Sequence, residues 1–329
     1  MSVLLSVRDL RVEVPVAGKL CPAVDGVSFE AAEGECLAIV GESGCGKTLL
    51  ARALVHLPPA GGRITGSVRL FGRELTGLSD AEWRRVRGGQ VGFVFQEPAS
   101  AFDPVATVGA QIAEAVRLHG NFSRASARTL ARDRLAEVGF PDPERGLDEH
   151  PHRLSGGLRQ RAFLAMALAA DPKLLIADEP TTALDATVAA QVMELLERLR
   201  RGRGLTVLLI THDLGLVARH SDRALVLYAG RAAEEASTPE LFRVPRHPYT
   251  KGLLASAPRV SASASAVGAR FETIPGAVPD LSDRLRGACA FVFRCPERFA
   301  PCDRREPELY EAVGARVRCF LYEPSMPAR

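Results

Sequence analysis

Lysine is scarce in this chain and occurs only at positions 19, 47, 173 and 251 of 329 residues. Arginine therefore carries nearly all of the positive charge, and since Lys and Arg total 42 against 39 Asp and Glu, the net charge is only +3. A net charge this small gives no electrostatic reason to expect a nucleic acid or an anionic membrane surface as partner. The remaining composition, 47% hydrophobic and 25% charged, is ordinary for a globular protein.

Long apolar runs are also missing. The longest, Ala162 to Ala170, is far shorter than the roughly 20 residues that a membrane-spanning helix needs. The first twenty residues mix Arg8, Asp9, Arg11 and Glu13 with apolar side chains, which is not the pattern of a secretory signal. We therefore expect the chain to work in the cytoplasm and to reach a membrane only through partners.

Cysteine is unevenly distributed, and disulfides are not expected in a cytoplasmic chain. Of seven cysteines, four lie near the C-terminus with the spacing C-x5-C-x6-C-x16-C: Cys289, Cys295, Cys302 and Cys319. Four thiolates can hold a 4Fe-4S cluster or a structural zinc ion. Because the gaps match neither a C-x2-C zinc pattern nor a bacterial ferredoxin, the spacing leaves a cluster, zinc and unligated thiols all open.

Short apolar runs alternate with helical stretches between residues 35 and 230, which predicts an α/β fold around a mostly parallel sheet. Glu35 to Val40 reads as a strand that enters a Gly-rich loop, and Lys47 to Leu57 as the helix after it. A later helix is predicted from Thr187 to Arg200. The later strands are predicted at Val91 to Gln96, Leu174 to Asp178, Leu205 to Ile210 and Ala224 to Tyr228.

Three parts depart from this alternation. β-rich segments at Leu4 to Val14, Val24 to Phe29 and Ile64 to Phe71 predict a small antiparallel sheet, and the region of about 100–170 reads as an inserted helical subdomain. Ser79 to Glu82 has the form of a capping box. After Tyr228 the alternation fades. We therefore expect a nucleotide-binding domain over 1–257, a Ser/Ala-rich linker over 258–270 and a small Cys-containing module over 271–329.

The loop after the first core strand has the form of a phosphate cradle. Its glycines permit backbone conformations that turn N–H groups toward an anion, Lys47 adds a positive charge, and the Thr48 hydroxyl can ligate Mg²⁺. The predicted phosphate-binding residues are Gly41, Glu42, Ser43, Gly44, Cys45, Gly46, Lys47 and Thr48.

Two further segments suit the same chemistry. Asp178 and Glu179 end an apolar strand, so one carboxylate can hold Mg²⁺ while its neighbour orients or deprotonates a water. Ser155, Gly156 and Gly157 precede a helical run, whose N-terminal end attracts phosphate.

Together these segments resemble the ATP-binding cassette (ABC) ATPases, a branch of the P-loop NTPases, from Leu4 to Phe242. The resemblance implies ATP and Mg²⁺ as cofactors. It assigns Gly41 to Thr48 to the Walker A loop, Gln96 to the Q-loop and to Mg²⁺, and Leu154 to Leu158 to the signature. It also assigns Asp178 and Glu179 to Walker B, Ala183 to Asp185 to the D-loop, and His212 to a contact with the γ-phosphate.

In that family two cassettes work head to tail, so Lys47 and Ser155 of one chain are expected to serve different ATP molecules. Glu179, His212 and Lys47 are the implied catalytic residues. Two features depart from the pattern: the signature ends in Leu158, and Val12 to Pro15 lacks the aromatic that usually stacks on adenine.

Several stretches resemble the peptide and nickel importer branch: Gln96 to Pro104, Thr107 to Ile112, His247 to Leu254 and Ile274 to Gly276. This implies peptide import at the cytoplasmic face of the inner membrane, with a second ATPase subunit, two permeases and an extracytoplasmic binding protein. It also implies a 4Fe-4S cluster on the four tail cysteines. The alternatives are an importer of nickel or another small solute, or a non-transport ABC ATPase acting on ribosomes or DNA; such ATPases usually have two cassettes or a coiled-coil insertion, and neither is present.

Overall fold

An eight-stranded sheet forms the centre of the protein, of which the computed structural model describes residues 2–97, 101–182, 184–256, 273–284 and 287–324. The predicted linker, residues 258–270, and Ala183 lie outside these ranges. The strands of this sheet are β3 Cys36–Val40, β6 Val91–Val94, β7 Leu174–Asp178, β8 Thr206–Thr211, β9 Arg223–Tyr228, β10 Arg231–Ser237, β11 Tyr310–Ala312 and β12 Ala315–Val317.

The strands lie in the order β11-β12-β10-β9-β3-β8-β7-β6. From β9 to β6 all neighbours are parallel, and β10, β12 and β11 continue the sheet in antiparallel fashion. Every residue of β3, β7 and β8 is buried, as expected for strands covered on both faces. The predicted α/β class with a mostly parallel sheet is confirmed.

The predicted antiparallel sheet is present beside the main one. Its strands are β1 Val3–Val16, β2 Lys19–Ala32, β4 Arg63–Leu70 and β5 Arg73–Glu74, in the order β2-β1-β4-β5. Leu5, Val7 and Leu10 of β1 are buried in one hydrophobic core with Ile39 and Leu50 of the main domain. The antiparallel sheet is therefore packed on the phosphate-loop side of the fold.

The helices of the described residues cover the sheet and fill the region predicted to be helical, in which no described residue forms a strand. Ser79 caps the second helix by accepting a hydrogen bond from the Glu82 N–H, and the Glu82 carboxylate accepts one from the Ser79 N–H at 3.0 Å, so the predicted capping box is confirmed. The helices are α1 Lys47–Leu54, α2 Asp80–Val86, α3 Val108–His119, α4 Arg124–Glu137, α5 Pro143–Asp148, α6 Gly156–Ala167, α7 Ala186–Arg203, α8 Leu214–His220, α9 Thr238–Arg243 and α10 Pro248–Ser256, with 3-10 turns at Pro151–Arg153 and Phe320–Tyr322.

The sequence analysis did not predict β10, which lies where the alternation of strands and helices fades and has two adjacent glutamates in its middle. Both are buried with partners. Glu234 accepts the backbone N–H groups of Arg246 and His247, and Glu235 forms ion pairs with Arg223 and Arg316. Burial of a carboxylate is tolerated when its oxygens are paired in this way.

Residues beyond 287 share the core of the cassette. Strand β12 pairs with β10, and a cluster of aromatic rings joins Phe291 to Tyr228 of β9 and Tyr249 of α10, with ring centroids 5.0 and 5.4 Å apart. This cluster lies in a hydrophobic core with Cys289, Cys302 and Cys319. The C-terminal residues therefore pack directly against the strand next to β3, the strand that enters the phosphate loop.

Candidate nucleotide site

The phosphate loop follows β3, near the centre of the parallel strands, and leads into α1. Gly46 has φ of 107°, a left-handed conformation that favours glycine. A Cβ atom on Gly41 would lie 2.2 Å from the carbonyl oxygen of Leu227, so glycine is required there for close approach to β9. Helix α1 has no side-chain cap and no acidic residue in its first turn. No side chain therefore caps the first N–H groups of α1. These groups and the positive end of the helix dipole are available to bind an anion.

Lys47 is the first residue of α1, and its side chain turns back into the loop. The ammonium Nζ donates to the carbonyl of Gly41 at 2.7 Å and to that of Glu42 at 3.0 Å. Only 5% of the residue is exposed. The loop therefore encloses the cation near the start of α1, where it can meet a phosphate group.

Asp178, the last residue of β7, reaches the start of the same helix. The Thr48 hydroxyl donates to Asp178 Oδ1 at 3.3 Å. Burial raises the pKa of Asp178 to about 6 and the charge of Glu179 adds to the effect, while the hydrogen bond from Thr48 opposes it. A hydroxyl and a carboxylate oxygen side by side are oxygen ligands of the kind that Mg²⁺ takes. The predicted residues Thr48 and Asp178 thus form a fitting pair for Mg²⁺.

Three polar side chains meet at the carboxylate of Glu179. Its Oε2 accepts from Gln96 Nε2 at 3.1 Å and from the Thr182 hydroxyl at 2.9 Å, and its Oε1 lies 3.1 Å from His212 Nδ1. The backbone of Glu179 has φ of 48°, uncommon for a residue with a side chain, and is held by a bond from its N–H to the carbonyl of Ile210. The structure therefore brings Gln96, Glu179 and His212 together in a fixed arrangement.

The Ser-Gly-Gly segment starts α6 at a different place on the surface. Ser155 caps the helix by accepting the N–H of Leu158 at 3.3 Å, and Ser155 and Gly156 are exposed. A Cβ on Gly157 would come within 2.6 Å of Val188, so this glycine fits tightly against α7. Among the residues that the structure describes, no hydrogen bond or ion pair joins this segment to the phosphate loop. It is thus separate from the residues that surround Lys47.

Three residues that sequence reasoning did not place at the site contact the phosphate loop. They are Tyr249 of α10, which accepts the N–H of Glu42, Arg294, which pairs with the Glu42 carboxylate, and Arg284, which donates to the carbonyl of Gly44. Tyr249 stands in the His247 to Leu254 stretch, but the sequence has no signal that connects it with residue 42.

Comparison with known proteins agrees with this geometry. Residues 24–182 match the family described as ABC transporter, and residues 233–302 match the family described as oligopeptide/dipeptide transporter, C-terminal region. The chain is 44% identical over 326 residues to the dipeptide transport ATP-binding protein DppD of Bacillus subtilis, an alignment that covers 98% of this chain and 96% of that protein.

The chain belongs to the ABC transporter family.

Membership of this family shows that the chain is a transport ATPase, an enzyme that hydrolyses ATP. A further relative, the oligopeptide transport ATP-binding protein OppD of Mycobacterium tuberculosis, is 49% identical over 98% of this chain and 52% of its own length. Among solved structures, the dimeric, post-hydrolysis state of the ATP-binding cassette MJ0796 bound to ADP and Pi has a TM-score of 0.64 and 27% identity over 71% of this chain and 99% of that one. The predicted P-loop NTPase core of an ABC ATPase is therefore confirmed.

The tail cysteines of this ABC ATPase lie close together, and all seven cysteines of the chain are free thiols. The Cys289 N–H donates to the carbonyl of Cys302 at 2.8 Å. Burial raises the pKa of Cys319 to about 12, and the charges of Cys289, Cys295 and Cys302 add to the increase. Within the described ranges, no three His, Cys, Asp or Glu side chains form a group that could hold a metal ion. Among the described residues the tail thiols are therefore not arranged as a metal site, and the structure does not show an iron-sulfur cluster.

No helix among the described residues of this ABC ATPase is both long and apolar enough to cross a bilayer.

Proposed function

We propose that this chain is the ATP-hydrolysing subunit of a peptide importer, bound peripherally at the cytoplasmic face of the cell membrane. The observation that carries the proposal is the match of residues 233–302 to the C-terminal region of oligopeptide and dipeptide transporters. The names of the relatives from Bacillus and Mycobacterium support the same substrate class. The partners would be two permeases, an extracytoplasmic substrate-binding protein and a second ATPase subunit, either a copy or a paralogue.

The loop from Gly41 to Thr48 would bind the phosphates of ATP, with Lys47 exchanging its contacts with loop carbonyls for phosphate oxygens. Thr48, Gln96 and Asp178 would hold Mg²⁺, which when bound neutralises charge on the phosphates. The oxygen pair of Thr48 and Asp178, and the Gln96 amide beside Glu179, are the observations that support this ligand set.

Glu179 would act on the attacking water as general base or orienting group. Its carboxylate already accepts bonds from Gln96 and Thr182, which fix its direction without placing a positive charge against it. His212, whose ring is largely exposed, would reach the γ-phosphate while its Nδ1 stays near Glu179. Held in this way, Glu179 would accept a proton from a water molecule that attacks a phosphate bound in the loop.

A second subunit would complete each ATP site. Ser155 and Gly156 are exposed at the start of α6, and Gly157 and Leu158 beside them are half-buried. This helix end can therefore meet the phosphates held by the Walker A loop of a partner. The D-loop, in which Leu184 and Asp185 are described and Ala183 is not, follows Thr182 and leads into α7.

For the domain organisation we propose a cassette over 1–257, with its helical subdomain at about 100–170, a linker over 258–270 and a C-terminal module over 271–329. We also propose that Cys289, Cys295, Cys302 and Cys319 hold a 4Fe-4S cluster, on the resemblance of the chain to the peptide importer branch. The cluster would be structural or regulatory, because these cysteines lie outside the ATP site.

The test is purification of the assembled complex from membranes and measurement of its ATPase rate with dipeptides, longer peptides and nickel chelates. Stimulation by peptides in the presence of the binding protein is the expected result. If only nickel chelates stimulate the ATPase, the transported substrate is a nickel complex and not a peptide. Recovery of ribosomal components in place of permeases would reject the importer altogether.

A further inference from the structure

Three residues of the C-terminal part of the chain contact the phosphate loop. The Tyr249 hydroxyl accepts the backbone N–H of Glu42 at 2.9 Å. Arg294 donates to both carboxylate oxygens of Glu42, at 2.7 and 3.0 Å. Arg284 donates to the carbonyl oxygen of Gly44 at 3.3 Å. These residues stand more than 200 positions along the chain from the loop, so tertiary packing alone brings them there.

Arg294 is the most firmly held of the three. Its Nε donates to the carbonyl of Pro275 at 2.8 Å, and one terminal nitrogen lies 3.2 Å from the carbonyl of Gly276. The guanidinium also lies over the rings of Tyr228 and Phe291, 5.7 and 6.0 Å from their centroids. Its side chain is only 5% exposed, against 30% for Glu42. A bidentate salt bridge to a buried arginine restricts the geometry of the carboxylate far more than an exposed salt bridge does.

Glu42 connects this arginine to the catalytic lysine. The side chain of Glu42 is fixed by Arg294 and its N–H by Tyr249, while its own carbonyl accepts from Lys47 Nζ at 3.0 Å. A change in the position of Glu42 therefore moves an atom that holds Lys47. The same pair also neutralises a carboxylate that stands in the loop where ATP phosphates would bind.

We propose that Arg294 is a positioning residue for nucleotide binding, which acts through Glu42 on the phosphate loop. This inference rests on the proposed function, in which that loop binds ATP. The arginine sets the loop conformation before the nucleotide arrives and removes the repulsion between Glu42 and the phosphates. The C-terminal part of the chain thereby contributes to ATP affinity although it does not touch the reacting atoms.

The experiment compares full-length variants by calorimetric binding of MgATP and, in the assembled complex, by KM and kcat for ATP. Arg294→Gln should raise Kd and KM about tenfold, because it leaves the Glu42 carboxylate unpaired, while kcat changes by less than about twofold. Arg294→Lys should be intermediate, since an ammonium cannot reproduce the two-pronged contact. Arg294→Gln combined with Glu42→Gln should recover part of the lost affinity, because no unpaired carboxylate remains beside the phosphates.

Arg298→Gln is the matched control. Arg298 is an exposed arginine four positions further on that makes no ion pair among the described residues, so this variant should bind ATP like the wild type. A purely structural role for Arg294 predicts a lower Tm with unchanged KM, and a double variant no better than the single one. Either result would overturn the inference. If Arg294→Gln does not fold, Glu42→Ala tests the contact between Arg294 and the phosphate loop from the side of the loop. An unchanged KM for ATP in Glu42→Ala would also contradict the inference.

Lys47→Ala separates this inference from the proposed function. Loss of ATP binding in Lys47→Ala with normal binding in Arg294→Gln rejects only the role of Arg294. Retained ATP binding in Lys47→Ala rejects the assignment of the loop itself.

Discussion

His212 Nδ1 and Glu179 Oε1 lie 3.1 Å apart, although 33 positions separate the two residues in the chain. The sheet topology explains their meeting. Glu179 directly follows β7, His212 directly follows β8, and Gln96 comes two residues after β6, and these are three adjacent parallel strands. Because parallel strands bring their carboxyl ends to one edge, the side chains after them converge on the Glu179 carboxylate.

Glu179→Gln should retain ATP binding and lower turnover by about 10²–10⁴-fold, because the amide is nearly the same size but cannot accept a proton. ATP affinity by calorimetry and ATPase rate in the assembled complex measure the two effects. Glu194→Gln, on the exposed face of α7, is the control and should keep full turnover. Unchanged turnover in Glu179→Gln would refute its role as general base.

Asp178→Asn should weaken Mg²⁺ binding in the presence of ATP by about tenfold or more, because one negative ligand oxygen is lost beside Thr48. Titration of the ATPase rate with Mg²⁺ measures this change. ATP binding in the absence of Mg²⁺ should be retained, since Lys47 and the loop are intact. A Mg²⁺ dependence equal to that of the wild type would contradict the assignment of Asp178 as a ligand.

Ser155→Arg should leave the chain's own ATP binding intact and remove turnover in the assembled complex, because the bulky cation would disturb a site on the neighbouring subunit. Binding to the isolated variant and ATPase activity of the complex distinguish the two. Ser126→Arg, an exposed serine near the start of α4, is the control for a new surface charge. If Ser155→Arg abolishes ATP binding by the isolated chain, then Ser155 belongs to the same site as Lys47.

The residues of the nucleotide site could be predicted because each is tied to a local pattern. Lys47 follows a glycine loop, and Asp178 and Glu179 end an apolar run, so strand ends alone place them at one edge of the sheet. Arg294 and Tyr249 have no such pattern. Their contacts with Glu42 depend on how the C-terminal residues pack on β9, and those residues show little periodicity. Strand β10 was missed for a related reason, because the N–H groups that bond to Glu234 and the arginines that pair with Glu235 stand at least 12 positions away in the chain.

The tail cysteines make a prediction about metal content. If they hold a 4Fe-4S cluster, protein purified without oxygen should be brown and contain about four irons per chain. Cys302→Ala should lower the iron content, because a ligand is removed, while Cys21→Ala, outside the tail, should not. Colourless, iron-free preparations of the wild type would reject the cluster.

His247 makes a prediction about stability and pH. The ring is almost fully buried, and its Nδ1 accepts the N–H of Tyr249 at 3.0 Å. Burial lowers the pKa of His247 to about 3, a hydrogen bond to the Arg318 backbone opposes this shift, and the nearby charges of Arg318 and Lys251 add to it. Glu234 faces the same turn and accepts the backbone N–H of His247. In the unfolded chain the imidazole titrates near pH 6.5, so the unfolded state binds the extra proton below that pH and the folded state does not.

The contribution of His247 to stability is therefore complete above pH 6.5 and is lost as the pH falls toward 3. Between pH 7 and pH 5 the wild type should lose about 2 kcal/mol of unfolding free energy more than His247→Asn, which keeps a neutral acceptor near the Nδ1 position. Denaturant unfolding at both pH values measures the difference. His152→Asn, which alters an exposed ring, should follow the wild-type curve. Parallel curves for the wild type and His247→Asn would mean that the buried ring takes up a proton in the folded state.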